Sequence, residues 1–243
     1  MWYAKPYGGY SPGSTEFNSN VEQINGYLNT LGANTAAQAG LLGNVYAESG
    51  MNPWRWEGDT VAQYRGYGLF QYTPAYSRNG VPGYIDTCGN VPYYAPNLST
   101  SAVTSGANAN DGFAQLAVFS ANRLNKWMDT MPFASGWDLS FIPQRNNILA
   151  KYGTNGHLSI AQFYRIDNIN DAVFAFLTAF ERPAVLSTYY TRCQYAASIY
   201  PYLSGDTPIN PPAPPPVDPD PEPEPPIVKK AKKMPIYFYL KRY

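Results

Sequence analysis

Apolar residues spaced three and four apart recur through most of the first two hundred positions, and this spacing predicts a string of helices. Val21, Ile24, Leu28 and Leu31 form one stripe and predict a helix over 18–31, with Gly32 as its break and Asn34–Thr35 as the cap of the next. That next helix carries Leu41, Leu42 and Val45 and ends in Glu48–Ser49–Gly50, where glycine takes the left-handed cap conformation at little cost. Residues 51–59 read as a loop, marked by Asn52–Pro53 and Gly58–Asp59. Over 60–72, Val, Tyr, Leu and Phe are mixed with Gly66 and Gly68, which predicts a short twisted hairpin in which Gly68–Leu69–Phe70–Gln71 is strand-like.

The stretch 73–109 has little periodicity and is long for a loop, a length usually found where loops are functional or mobile. Helix returns over 111–131, with Phe113, Leu116, Ala117, Leu124 and Trp127 on the expected buried face, and in shorter pieces over 139–152 and 159–166. Residues 170–181 are apolar on nearly every side, through Val173, Phe174, Phe176, Leu177 and Phe180, and predict a central buried helix. Pro183 fits the first turn of a last helix reaching about residue 202.

Composition then changes. Eleven prolines fall between Pro208 and Pro226, a stiff polyproline spacer, followed by a lysine-rich and aromatic end. The resulting organisation is an N-terminal arm at 1–16, a mainly helical α+β domain at 17–203, a proline-rich linker at 204–227 and a basic, aromatic tail at 228–243. An aromatic strand on a stiff spacer suits attachment to the edge of a partner's sheet, and its basic flanks leave membrane contact as the alternative.

Charge narrows the function. The 243 residues carry no formal net charge, and the acids and bases before residue 205 nearly balance, which argues against a nucleic-acid binder. Aromatic residues stand out instead, with 22 Tyr and 5 Trp against 14% charged residues, a surface chemistry suited to sugars or to protein interfaces. Neither a secretory signal nor a run long enough to span a bilayer is visible, so delivery outside the producing cell requires another route. Cys88 and Cys193 set no disulfide framework, and both pairing and free thiols stay open. His157 follows Asn155–Gly156 in a predicted turn without neighbouring ligand types, so neither a metal nor a cofactor is expected.

Glu48 is the candidate for chemistry. It falls on one side of its helix with Asn44 and Val45, along a face that is otherwise mostly apolar. In the last helical turn, the negative end of the helix dipole and apolar surroundings both disfavour an ionised carboxyl, which suits a proton donor. Glu181 ends the apolar stripe of Phe174 and Leu177 and needs a partner such as Arg182 or Arg192; Glu181–Arg182–Pro183 reads as mainly structural.

A helix ending in Glu48–Ser49–Gly50, a loop, and Gly68–Leu69–Phe70–Gln71 resembles the lysozyme-like superfamily, where a glutamate at a helix end protonates the glycosidic oxygen beside a glycine-rich hairpin. Leu42–Gly43–Asn44, the extension through Met51–Asn52–Pro53, then Tyr72–Thr73–Pro74 and the distant Phe180–Glu181–Arg182–Pro183 are similar to the phage tail lysins. This likeness covers about 18–202. One departure is Tyr72, where relatives often carry Trp.

The resemblance implies a virion-borne enzyme that cuts the β-1,4 bond between N-acetylmuramic acid and N-acetylglucosamine of peptidoglycan during DNA entry, with Glu48 as general acid. Glycoside cleavage normally uses two carboxyl groups, and Asp59, at the mouth of the predicted hairpin, is the favoured second, with Glu57 the alternative. Gln71, Tyr72, Tyr67, Asn44 and Trp54 are candidate substrate contacts, and Trp56 is a further ring that could stack on sugar. A lytic transglycosylase needs only Glu48 and leaves anhydro sugar ends. An inactive wall-binding or structural tail module is the competing class. The expected partners are peptidoglycan and other tail proteins reached through the C-terminal tail.

Overall fold

The computed structural model describes residues 1–5, 7–60, 65–73, 75, 104–105, 110–118, 137–181, 183 and 186–204. Seven α-helices lie among them: α1 (Thr15–Thr30), α2 (Thr35–Ser49), α3 (Asn110–Val118), α4 (Ile142–Tyr152), α5 (Ile160–Phe163), α6 (Ile169–Phe176) and α7 (Tyr189–Ser204). The only ladder among the described residues joins β1 (Tyr3–Ala4) to β2 (Thr104–Ser105), antiparallel with Tyr3 opposite Ser105. The domain is therefore mainly helical. Most of the expected long loop at 73–109, Leu124 and Trp127 of the helix over 111–131, Cys88, Arg182, and everything from 205 onward lie outside the described residues.

Helix α2 is the centre of the fold, and small residues put it there. A Cβ on Gly40 would lie 2.5 Å from Ala172 Cβ, and one on Gly43 would lie 2.7 Å from Ala196 Cβ and from the Arg192 carbonyl oxygen. At these two positions, one helical turn apart, α6 and α7 approach α2 at backbone contact. Leu41, Leu42 and Val45 fill the space between them and are fully buried. Asn34 caps the start of α2 by accepting the Ala37 N–H at 2.9 Å. Gly50 ends it in the left-handed region at φ 59°, ψ 37°, as the sequence predicts.

Among the described residues of the predicted hairpin, 60 and 65–72, no ladder is formed. Isolated antiparallel bridges link Trp56 to Tyr67 and Tyr67 to Tyr72, and Gly68–Leu69–Phe70–Gln71 is the tight turn between the last two. Positive φ at Gly68 (82°) and Gln71 (46°) bends the chain, and the consecutive Leu69 and Phe70 are both buried, where a strand would alternate them. Gln115 of α3 holds this turn, accepting the Leu69 N–H at 2.7 Å while donating to the Pro53 carbonyl at 2.7 Å.

Two other expectations are corrected. In α3 the inward face is Gly112, Gln115 and Leu116, spaced i, i+3, i+4, so Phe113 and Ala117 are exposed. The Trp2 indole lies on the bare backbone of Gly112, and Phe113 packs edge-on against it at 5.4 Å. Pro183 is not in the first turn of α7, which starts at Tyr189; its carbonyl instead accepts the Trp137 indole N–H at 2.6 Å. The buried helix predicted over 170–181 is present as α6, continued by a π-helical turn, Leu177–Glu181. His157 sits in the predicted turn, bridged to Thr154 across Asn155 (φ 53°) and Gly156 (φ 77°).

Candidate active site

Glu48 occupies the last turn of α2, where Gly50 stops the helix and the N-terminal arm crosses its end. The crossing is close: the Tyr10 N–H donates to the Gly50 carbonyl at 2.9 Å, and a Cβ on Gly50 would lie 2.5 Å from Gly9 Cα. The next residues fix the arm. Asn52 is fully buried, donates to the Lys5 and Gly8 carbonyls at 2.9 and 2.7 Å, and accepts the Lys5 and Trp54 N–H groups.

The surroundings of Glu48 differ from the apolar wall expected from the sequence. Arg192 of α7 faces it, and Arg192 Nη2 donates to Glu48 Oε1 in an ion pair. The arginine side chain is 7% exposed and the glutamate 21%, so the pair sits where the core meets the surface. The other two guanidinium nitrogens are also engaged: Nη1 donates to Asn44 Oδ1 and Nε to Thr188 Oγ1, both at 3.1 Å. Asn44 in turn donates to the Gly40 and Val173 carbonyls, which ties the cluster to α6. Asn44 is therefore where the helix wheel places it, but fully buried and used on Arg192.

A second carboxyl lies within electrostatic reach of this cluster. Glu181 ends the π-helical turn that follows α6, beside Phe180, which packs on Phe70 of the glycine turn at 5.4 Å. Glu181 Oε1 is buried and, among the described residues, has no hydrogen-bond partner. Burial first, and the negative charge of Glu48 second, push this carboxyl well above the usual carboxylate range, against an opposing pull from Arg192.

The other sequence candidates are placed elsewhere. Asp59 Oδ1 accepts the Gly8 N–H at 2.7 Å and faces Arg55 Nε at 3.6 Å, while Glu57 Oε2 accepts the Gly66 N–H at 2.9 Å. Both carboxylates hold loops together. Gln71 donates to the Arg55 and Gly68 carbonyls, each at 2.9 Å, and is half-buried, as is Tyr72. Trp54, Trp56 and Tyr67 are buried, Trp54 against Ala4 and Tyr67 against Trp56 at 4.8 Å, so these rings present no open face to a sugar.

The sequence reading missed Arg192 as the partner of Glu48 and gave Glu181 only a structural role. A signal was available: Arg192 shares a stripe with Tyr189, Cys193 and Ala196, all buried, and an arginine on such a face needs an acid opposite. Cys193 itself is a buried free thiol, pushed by burial up to about 12.

A family model described as phage tail lysozyme matches residues 19–203, a span that begins inside α1 and ends inside α7. The chain belongs to the phage tail lysozyme family. Membership makes it a glycoside hydrolase of peptidoglycan and associates it with the virion tail. No curated protein matches the chain. In this tail lysozyme, no helix of the described residues is long and apolar enough to cross a membrane.

Proposed function

We propose that Glu48 is the general acid that protonates the glycosidic oxygen of the β-1,4 bond between N-acetylmuramic acid and N-acetylglucosamine. The observation that supports this most is the position of its carboxyl. It ends the central helix at the edge of the core, its Oε1 is held by an arginine whose three nitrogens each make a hydrogen bond, and among the described residues its Oε2 has no hydrogen-bond partner. Such a carboxyl is oriented by the protein on one oxygen and open to substrate on the other.

Asp59 is the companion carboxylate in this reading, held in place by Gly8 and Arg55. Sugar contact falls to the half-buried Gln71 and Tyr72, while Asn44 acts by orienting Arg192. The C-terminal segment 228–243 is the attachment to other tail proteins, joined by the linker 204–227.

Glu48→Gln tests the assignment. The variant should keep the circular dichroism and melting curve of the parent and lose clearing of a peptidoglycan gel; undiminished clearing refutes it. Mass spectrometry of wild-type products defines the second step. Reducing ends support Asp59 or Glu57 activating water, whereas 1,6-anhydromuramic ends remove both from the mechanism.

A further inference from the structure

A polar groove lies on the far side of α2 from Glu48. At 3.6 residues per turn, Tyr46 stands about 200° around the helix from Glu48, and it borders a cavity of about 340 Å³ between the end of α2 and the N-terminal arm. Tyr10 and Ser11 of the arm, Arg55 of the loop after α2 and Tyr195 of α7 complete the lining that the argument uses. The volume falls within the range of about 300–1,000 Å³ found for small-ligand sites.

The polar groups of this groove are in place but uncommitted. Arg55 turns Nε toward Asp59 at 3.6 Å, and among the described residues its Nη1 and Nη2 make no hydrogen bond. The Tyr46 and Tyr195 rings meet edge-on at 4.6 Å, which fixes both, and neither hydroxyl has a hydrogen-bond partner among the described residues. Tyr10 is 6% exposed, and its Oη is buried with no partner among the described residues. Lys5 Nζ lies 4.7 Å from the centroid of the Tyr10 ring, so the arm brings a second cation to this end of α2. A buried polar group left unpaired is costly, and its presence in a cavity wall calls for a ligand that supplies the missing bonds. The fork of a guanidinium matches a carboxylate with two parallel hydrogen bonds, and phenol hydroxyls beside it add further donors.

We propose that this groove is a second substrate site of the tail lysozyme, in which Arg55, Tyr46 and Tyr195 take the free C-terminal carboxylate of a peptidoglycan stem peptide. The inference rests on the reading of Glu48 as general acid, which fixes where the glycan lies. Reach favours the peptide over a neighbouring sugar. A helix with its side chains is about 10–12 Å across, and four extended residues span up to about 14 Å. A stem peptide on a sugar held at Glu48 is therefore long enough to bring its end round α2 to Arg55. The site would make uncrosslinked strands, whose peptides end in a free carboxylate, the better substrate.

The test is calorimetric titration of the full chain with N-acetylmuramyl pentapeptide ending in D-Ala–D-Ala, and with the same compound as its C-terminal amide. Neither contains the scissile bond, so binding is read without chemistry. The free acid should saturate the wild type, the amide should bind at least about tenfold more weakly, and Arg55→Gln should remove the difference. Equal binding of acid and amide overturns the proposal, as does a wild type that does not bind the acid. Glycerol 3-phosphate is the competing anion: it should leave the peptide bound, and displacement at equal concentration overturns the peptide as occupant in favour of a phosphate. If Arg55→Gln does not fold, the double variant Tyr46→Phe/Tyr195→Phe, which keeps both rings, decides. It should weaken the acid by about tenfold, and unchanged affinity overturns the site. Clearing of peptidoglycan by Glu48→Gln would overturn the assignment of the acid and leave this titration as it is, so the two failures are distinct.

Discussion

Gly43→Ala is the perturbation that most directly connects packing to chemistry. The new methyl would lie 2.7 Å from Ala196 Cβ, 2.7 Å from the Arg192 carbonyl oxygen and 2.8 Å from the Ala196 nitrogen. Carbon atoms pack comfortably at about 3.5–4.0 Å, so α7 must withdraw by roughly 1 Å, and two of the three obstacles are backbone that no rotamer change can clear. Alanine is worth about 1 kcal/mol over glycine inside a helix, while overpacking a core costs about 1–3 kcal/mol. The net expectation is a loss of up to about 2 kcal/mol, or up to roughly 8 °C in Tm for a domain of this size. Activity should fall further than stability does. The Arg192 bond to Asn44 is 3.1 Å long, and a retreat of about 1 Å takes it beyond hydrogen-bond range and shifts the guanidinium on Glu48. Misplacement on that scale costs about a hundredfold in rate. The assays are thermal unfolding by circular dichroism and gel clearing. Gly26→Ala is the control: Gly26 is exposed on α1 with nothing within 4 Å of a Cβ, so it should gain up to about 1 kcal/mol. A Gly43→Ala protein that melts at or above the wild-type temperature with full activity would refute the argument that this glycine sets the distance between Glu48 and Arg192.

Two further outcomes are expected. Asn52→Ala strips partners from the Lys5 and Gly8 carbonyls and from the Lys5 and Trp54 N–H groups; it should cost about 2–4 kcal/mol in urea unfolding and make residues 1–10 the first site of limited proteolysis. The raised titration of Glu181 means the native state holds a proton that the unfolded chain releases. Its contribution therefore declines as pH rises above the unfolded carboxyl value of about 4.3, by at most about 1.4 kcal/mol per pH unit. Glu181→Gln should remove that decline, so its stability relative to the wild type should increase from pH 4 toward pH 8, as followed by denaturant midpoints.

Local signals in the sequence translated well where local physics decides the outcome. Gly50 does end α2, because a left-handed cap is intrinsic to glycine, and Val21, Ile24 and Leu28 are buried, because their spacing already defines a face, whereas Leu31, the fourth residue of the predicted stripe, falls at the C-cap of α1 and is exposed. Pattern failed where a distant residue supplied the missing interaction. The glycine turn at 68–71 looked like a strand because Leu69 and Phe70 are apolar and β-favouring; what bends it is Gln115, 46 positions away, accepting the Leu69 N–H. The same is true of the site. Glu48 stands in the last turn of its helix as its sequence context predicts, but its surroundings differ from the apolar face expected because the guanidinium comes from α7, 144 residues later. Trp54 and Tyr67 carried the right chemistry for sugar stacking, yet burial is a property of the assembled loop and not of the ring.

The buried cluster is expensive as architecture, and that cost is an argument about its purpose. Burying an ion pair recovers little more than its desolvation, and well-packed apolar residues of similar volume would serve the core as well or better. Here the fold goes further. It keeps glycine at Gly40 and Gly43 so that α6 and α7 come close enough for Asn44 to reach Val173 and Arg192, and it leaves Glu181 with one buried oxygen that has no partner among the described residues. None of these choices improves packing over Leu or Ala. Together they set one guanidinium against Glu48 at the end of the central helix, with Glu181 within electrostatic reach of both. A charge arrangement that weakens the core but leaves one oxygen of Glu48 open is what the proposed proton donor requires, and on that proposal α2, the most deeply packed helix, carries the donor because its end reaches the edge of the core.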